Sequence, residues 1–378
     1  MKKLMVCAGE VSGDVHGSNL VRQLRAIDPD LMIFGMGSDL MRAAGADIRL
    51  DIVKTGTIGL TEVIKHLPAT LFALKRMKKM IMDEKPNAIL FIDSQGINML
   101  LAQFAKSKGF RTIYYIAPQE WLWGTEKGIK NVIKANDLII AIFKNEYDVY
   151  KKYGGNVEYY GHPLLDTIKT VMPKEDAFKK YGISASSPVL GLLPGSRTQE
   201  IEALTPILIS TAKLILKKFP NAHFILPISS RHYKNMILKQ IDKQLSITIT
   251  DGGNYDIYNA CDLLIASSGT VLLEASILGV PSVMIYKLSK VSEFIGKKIL
   301  KIKFKYYCMP NILADKCVIP EYIQENCNPK TISNEVIEIL KNKKSMNNIV
   351  EGMSYVKSML GSPGAVKKAA QRIMQFML

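Results

Sequence analysis

The side chains best suited to chemistry stand directly after short apolar runs. Gly9-Glu10-Val11-Ser12-Gly13-Asp14-Val15-His16-Gly17-Ser18 follows the run 3–8. Glycines at 9, 13 and 17 let backbone come close to a ligand, and Glu10, Ser12, Asp14 and His16 put polar groups beside that space. A strand, a glycine turn and a helix form the usual ligand seat of an open α/β sheet, although a tight turn needs glycine whatever it binds. Asp93 ends a second run, 88–92, and precedes Ser94-Gln95-Gly96-Ile97-Asn98. A carboxylate at a strand tip can take the proton of a hydroxyl. Capping a helix at 98–106 suits an aspartate equally well. His16 is the competing base, or else a solvated turn residue.

Two further loops repeat the pattern. Leu193-Pro194-Gly195-Ser196-Arg197 lies between a run at 189–193 and a helix starting near Gln199. Its backbone N–H groups and the helix dipole favour an anion, and the Arg197 guanidinium matches phosphate oxygens. Ser268-Gly269-Thr270 follows the run 263–266 and opens a helix, with Glu274 one turn on, placed to accept from ribose hydroxyls. Either loop alone could be a plain capped turn. Together they favour a nucleotide diphosphate. The tryptophans, Trp121 and Trp123, also follow a strand end. They can wall a sugar pocket, sit at a membrane interface or fill an inter-layer contact.

Elements that would position these residues alternate along the chain. Strands are expected at 3–8, 32–35, 88–92, 112–116 and 138–142, with helices at 18–26, 98–106 and 146–152 between them. After an irregular stretch at 161–173 the pattern restarts, with strands at 189–193, 223–226, 247–250, 263–266 and 282–285. Such alternation implies parallel sheets covered by helices on both faces. The fold class is therefore α/β, with two Rossmann-like domains facing across a cleft, bounded at 1–165 and 166–345. A helical segment follows at 346–378 and ends in a single terminal helix over 353–378.

Bulk properties narrow the class. With 378 residues, 48% of them hydrophobic, the chain is long enough for two cores. No apolar stretch reaches membrane-spanning length, and the opening Met1-Lys2-Lys3-Leu4 run ends at Glu10, too soon for an export signal. Five cysteines without a C-x-x-C pair argue against zinc and a disulfide framework, which fits a cytoplasmic setting. Asp28-Pro29-Asp30 precedes a strand, at the wrong edge for metal work, and the remaining histidines have no ligand spacing. The formal charge of +16 suits anionic lipid, nucleic acid or phosphorylated substrates, or reflects a lysine-rich proteome. On a helix expected at 68–84, opened by Pro68, Thr70, Ala73, Leu74, Met77, Met80 and Ile81 share the core face. Leu71, Phe72 and Met82 fall among Lys75, Arg76, Lys78 and Lys79 instead. Apolar residues set in a basic face describe a surface that dips into an anionic membrane; a protein contact is the other reading. A second basic, apolar stretch runs from 287 to 305.

In order, these segments resemble lipid-A-disaccharide synthases, inverting glycosyltransferases of the two-domain type-B fold. The likeness is carried by Gly9-Glu10-Val11-Ser12-Gly13-Asp14, Ile92-Asp93, 118–123, Gly161-His162-Pro163, Leu193-Pro194-Gly195-Ser196-Arg197, Ser268-Gly269-Thr270 with Leu273-Glu274, and Pro310-Asn311-Ile312-Leu313-Ala314. The resemblance implies transfer of 2,3-diacylglucosamine from UDP-2,3-diacylglucosamine to 2,3-diacylglucosamine 1-phosphate (lipid X). That would occur at the cytoplasmic face of the inner membrane, with no metal or other cofactor. It implies Asp93, Arg197 and His16 for catalysis and Glu10, Ser12, Gly13, Asn98 and Asn311 for the sugars. Gly195, Ser196, Arg197, Ser268, Gly269, Thr270 and Glu274 would hold UDP, and Leu71, Phe72, Lys75, Arg76 and Lys79 would meet the membrane. Members often carry a second acid three places after the Asp93 position; here that place is Gly96. The family's terminal segment crosses back onto the first domain and in some members swaps within a homodimer. A UDP-N-acetylglucosamine 2-epimerase shares the architecture but needs no lipid surface. A nucleic-acid-binding protein would show base-stacking aromatics on a basic face, and no such run occurs.

Overall fold

The computed structural model describes residues 2–52, 60–168, 172–183, 188–228, 233–241, 245–251, 255–287 and 305–378, without the side chains of 60–68 and 123. The chain divides into two compact units, Met1–Thr167 with Leu360–Leu378, and Ile168–Met359.

The first unit is built on a seven-stranded sheet: β1 (Lys3–Ala8), β2 (Met32–Met36), β3 (Asp47–Leu50), β4 (Ala88–Ile92), β5 (Thr112–Tyr115), β6 (Leu138–Ala141) and β7 (Val157–Tyr159). The strand order is β3-β2-β1-β4-β5-β6-β7, with every pairing parallel. Helices cover both faces, so inner strands are apolar throughout rather than alternating; all of β4 is buried. The order reverses between β1 and β4. There, successive crossovers leave in opposite directions and open a crevice at the strand tips.

Two helix starts differ from expectation. The first helix runs Val11–Ile27 and not from Ser18, so Gly13 and Gly17 lie inside it. Close packing explains them: a Cβ at Gly13 would stand 3.2 Å from the Ile92 carbonyl oxygen, and one at Gly17 would meet the Met41 sulfur at 2.6 Å. Asp14 is buried, its carboxylate accepting from the backbone N–H groups of Ser38 and Leu40 at 2.8 and 3.1 Å. The third helix runs Leu60–Glu84. Pro68 therefore does not open it, because the apolar spacing of Leu60, Val63, Ile64 and Leu67 continues across the proline. Ala73, Met77 and Ile81 on that helix are buried, while Leu71, Phe72 and Met82 are 56%, 59% and 42% exposed. Lys75, Arg76 and Lys79 are exposed beside them.

The second unit has a six-stranded sheet: β8 (Val189–Leu193), β9 (His223–Ile228), β10 (Ile247–Asp251), β11 (Leu263–Ser267), β12 (Ser282–Tyr286) and β13 (Glu321–Ile323). Its order is β10-β9-β8-β11-β12-β13, again parallel. The reversal falls between β8 and β11. The edge strands β3, β7 and β13, three or four residues long, were not expected. They are too short for a periodic signal.

The C-terminal segment also differs. Two helices, Lys343–Met359 and Ala365–Phe376, replace the single one expected over 353–378. The first belongs to the second unit, so the return to the first unit begins at Leu360 rather than 346. Gly361 and Gly364, at φ +86° and +97°, make the break. Past it, the Leu360 carbonyl accepts from the His162 N–H at 2.8 Å, and Asp166 accepts from the N–H groups of Gly364 and Val366. The last helix lies against the helix Val11–Ile27.

Candidate active site

The β1 and β4 tips lie side by side, with Ala8 opposite Ile92. Beyond them the Gly9 N–H donates to the Ser94 hydroxyl at 3.1 Å, and the Ser12 hydroxyl donates to Oδ2 of Asp93 at 2.5 Å. Asp93 and Ser94 both hold left-handed backbone angles, φ 54° and 51°. For non-glycine residues each such angle costs roughly 1–2 kcal/mol, so surrounding bonds must impose it. The Asn98 amide donates to the Asp93 carbonyl at 2.9 Å, as does the Tyr114 hydroxyl at 2.9 Å. Asp93 thus projects from a fixed bend and does not cap a helix; Ser94 holds that position, and the helix begins at Gln95.

His16 lies within electrostatic reach of this carboxylate. Burial pushes its imidazole below the ordinary value, and the Asp93 charge pulls it partly back. His162 is buried and driven down to about 3, chiefly by desolvation and further by His16. The Leu164 N–H donates to its Nδ1 at 3.1 Å, which leaves the proton on Nε2. The His162 ring packs on Phe143 at 4.9 Å, and Trp121 packs on the same ring at 5.7 Å. Burial thus disfavours the charged form of both imidazoles.

Three residues expected to touch sugars do other work. Asn98 is fully buried, and its amide also reaches the carbonyls of Cys7 and Ile92. Gly13 faces the sheet. Asn311 is fully buried as well, accepting from the N–H groups of Val318 and Ile319 and donating to Ile319 and Glu321. Asparagine carries a donor and an acceptor on one short arm, so it satisfies orphan backbone groups as readily as it binds a ligand. Glu10 stands half-buried at the N-cap position of the first helix.

In the second unit, β8 and β11 run in register with Leu193 opposite Ala266, which sets the two glycine loops side by side. Gly195, at φ +108°, admits no side chain: a Cβ would stand 2.2 Å from Oε2 of Glu200. Glu200, unforeseen from sequence, is buried and accepts from the Ser196 N–H at 3.2 Å and from Arg197 at 3.1 Å. Its position three residues after Arg197, in a helix's first turn, was the available signal. The Arg197 side chain stays half exposed. Gly269 and Thr270 are exposed at the start of the helix Thr270–Leu278, and no heavy atom lies within 4 Å of a Cβ at Gly269. Such bare N–H groups at a helix opening suit an anion. Ser268 donates to the Tyr307 carbonyl at 3.4 Å. Burial lifts the Glu274 carboxyl to about 7. Positions 288–304 of the second basic stretch lie outside the described residues.

Among the described residues, no group of three or more His, Cys, Asp or Glu could hold a metal ion, and no helix is long and apolar enough to cross a membrane. The profile of the lipid-A-disaccharide synthetase family matches residues 4–374. The lipid-A-disaccharide synthase of Geobacter metallireducens is 34% identical, covering 100% of this chain and 97% of its own. That of Persephonella marina is 35% identical, with 100% of both covered. Among solved structures, UDP-GlcNAc 2-epimerase from Neisseria meningitidis bound to UDP-GlcNAc superposes with a TM-score of 0.67 at 13% identity, covering 99% and 100%. MurG from Acinetobacter baumannii gives 0.58 at 16%, covering 99% and 100%. Those two share the fold, whereas the family match runs through both strand-tip loops. On that match the chain belongs to the lipid-A-disaccharide synthase family and is a glycosyltransferase of the two-domain type-B fold.

Proposed function

We propose that the enzyme transfers 2,3-diacylglucosamine from UDP-2,3-diacylglucosamine to the 6-hydroxyl of lipid X, giving a β-1,6-linked disaccharide phosphate and UDP. The second unit takes the nucleotide on Gly195-Ser196-Arg197 and Ser268-Gly269-Thr270, with Glu274 turned to the ribose. The first unit supplies the base. The hydroxyl oxygen of the acceptor attacks the donor's anomeric carbon on the face opposite UDP, and its proton passes to Asp93. The bond from that carbon to the phosphate oxygen breaks, and its electron pair stays on the diphosphate. Arg197 and the helix opening at Thr270 meet the charge that develops there. The observation that carries this reading is the Ser12–Asp93 contact at the sheet reversal, since a hydroxyl donating to Oδ2 turns the carboxylate and leaves Oδ1 for the acceptor. Glu10 lines the same strand tip.

Work at the cytoplasmic face of the inner membrane follows from the substrates and from the exposed Leu71, Phe72 and Met82. Those side chains enter lipid, while Lys75, Arg76 and Lys79 face anionic headgroups. Incubation of purified protein with the UDP-diacylglucosamine donor and lipid X tests the reading by mass spectrometry. The disaccharide phosphate is expected only when both substrates are present. Its absence, or turnover of the UDP-sugar alone, overturns the reading.

A further inference from the structure

Beside the Asp93 bend runs a groove of about 470 Å³ that the transfer step leaves unused. Its volume falls within the roughly 300–1,000 Å³ of small-molecule sites. One wall is the helix Gln95–Ser107, whose Gln95, Met99 and Gln103 recur every fourth residue and so share a face. The opposite wall is the helix Glu126–Ala135, through Asn131 and Val132. Gly96 keeps the mouth open: nothing lies within 4 Å of a Cβ there.

A carboxylate is built into this groove. Oε1 of Glu120 accepts from the Gln95 amide at 3.0 Å. Its Oε2 occupies space that only glycine leaves, because a Cβ at Gly124 or Gly128 would stand 2.1 or 2.2 Å from it. Glu120 is the carboxylate that lines the groove, and Asp93 stands two residues before Gln95 in the chain, so an anion is disfavoured there. What suits it is an uncharged group with N–H or O–H donors, followed by methylenes over Met99 and the buried Val132. A sugar that must keep its phosphate away from Asp93 while offering a hydroxyl to it has one such arm, an amide-linked acyl chain.

We infer that this groove seats the amide-linked acyl arm of the acceptor, with the Gln95–Glu120 pair meeting the amide and the two helices flanking the chain. The inference rests on the acceptor reading above. It is tested by filling the groove from its two ends, with Gly96→Phe and, separately, Gln103→Trp. The readout is the ratio of kcat/KM for a long-chain acceptor to that for its N-acetyl counterpart. Each folded variant is expected to lower this ratio about tenfold or more, the effect of removing several methylenes from a pocket. An unchanged ratio in a folded variant, with wild-type transfer intact, overturns the groove assignment alone. Wild-type protein that makes no disaccharide overturns the acceptor reading instead. Calorimetric titration with a long-chain N-acylglucosamine then decides the groove: weaker binding to the filled variants supports it, and equal binding overturns it.

Discussion

Asp93 is held by more bonds than a surface carboxylate needs. Its left-handed bend is fixed by Asn98, by Tyr114 and by the Gly9–Ser94 contact, all reaching backbone or the neighbouring side chain. Those bonds leave the Asp93 carboxylate to the Ser12 hydroxyl and aim it at the strand-tip crevice. Asp93→Asn keeps the shape and removes the base, so transfer should fall by about 10²–10⁴-fold while calorimetric UDP binding stays near wild type. Residual turnover close to wild type would move the base to His16, whose imidazole burial holds below its ordinary value. Asn98 and Asn311 show the limit at this scale. Their type suited a sugar, and only their burial reveals that backbone groups consume them.

At the scale of elements, helix openings carry most of the design. The helix Lys144–Lys152 opens on Glu146, whose Oε2 accepts from the N–H groups of Ile142 and Phe143 at 3.0 and 3.4 Å. Complete burial raises this carboxyl from 4.5 to about 8. The folded chain therefore keeps a proton that the unfolded chain loses, and stability falls as pH rises between those values. Glu146→Gln preserves an acceptor oxygen but does not titrate. Urea melts should show the variant gaining on wild type from pH 5 to pH 8, by an amount of order a few kcal/mol. Parallel curves across that range would show that Glu146 stays ionised. The early start of the first helix has a related cause. Glycine spacing fits a loop and a close helix contact equally well, and only the neighbours, Ile92 and Met41, tell them apart.

For the whole molecule, the proposed membrane contact draws on the charge of +16 and on the exposed Leu71–Phe72 pair. Leu71→Ser with Phe72→Ser should weaken sedimentation with anionic vesicles about tenfold or more, each side chain giving up roughly 1.5–3 kcal/mol of apolar burial. Added salt should weaken the wild type further, through screening; unchanged sedimentation of the variant would return this face to a protein contact. The amino-acid order by itself determined the alternation of strands and helices, the loops at β1, β4, β8 and β11, and the core face over 70–81 of the helix Leu60–Glu84. Each of these is written in local periodicity and glycine placement, which one stretch of chain carries alone. Tertiary structure decided which polar residues stay accessible, that Glu200 shapes the Arg197 loop, and that the chain re-enters the first unit at Leu360. Those outcomes depend on partners far away in sequence, such as Cys7 for Asn98 or Gly364 for Asp166, and no local pattern records a partner.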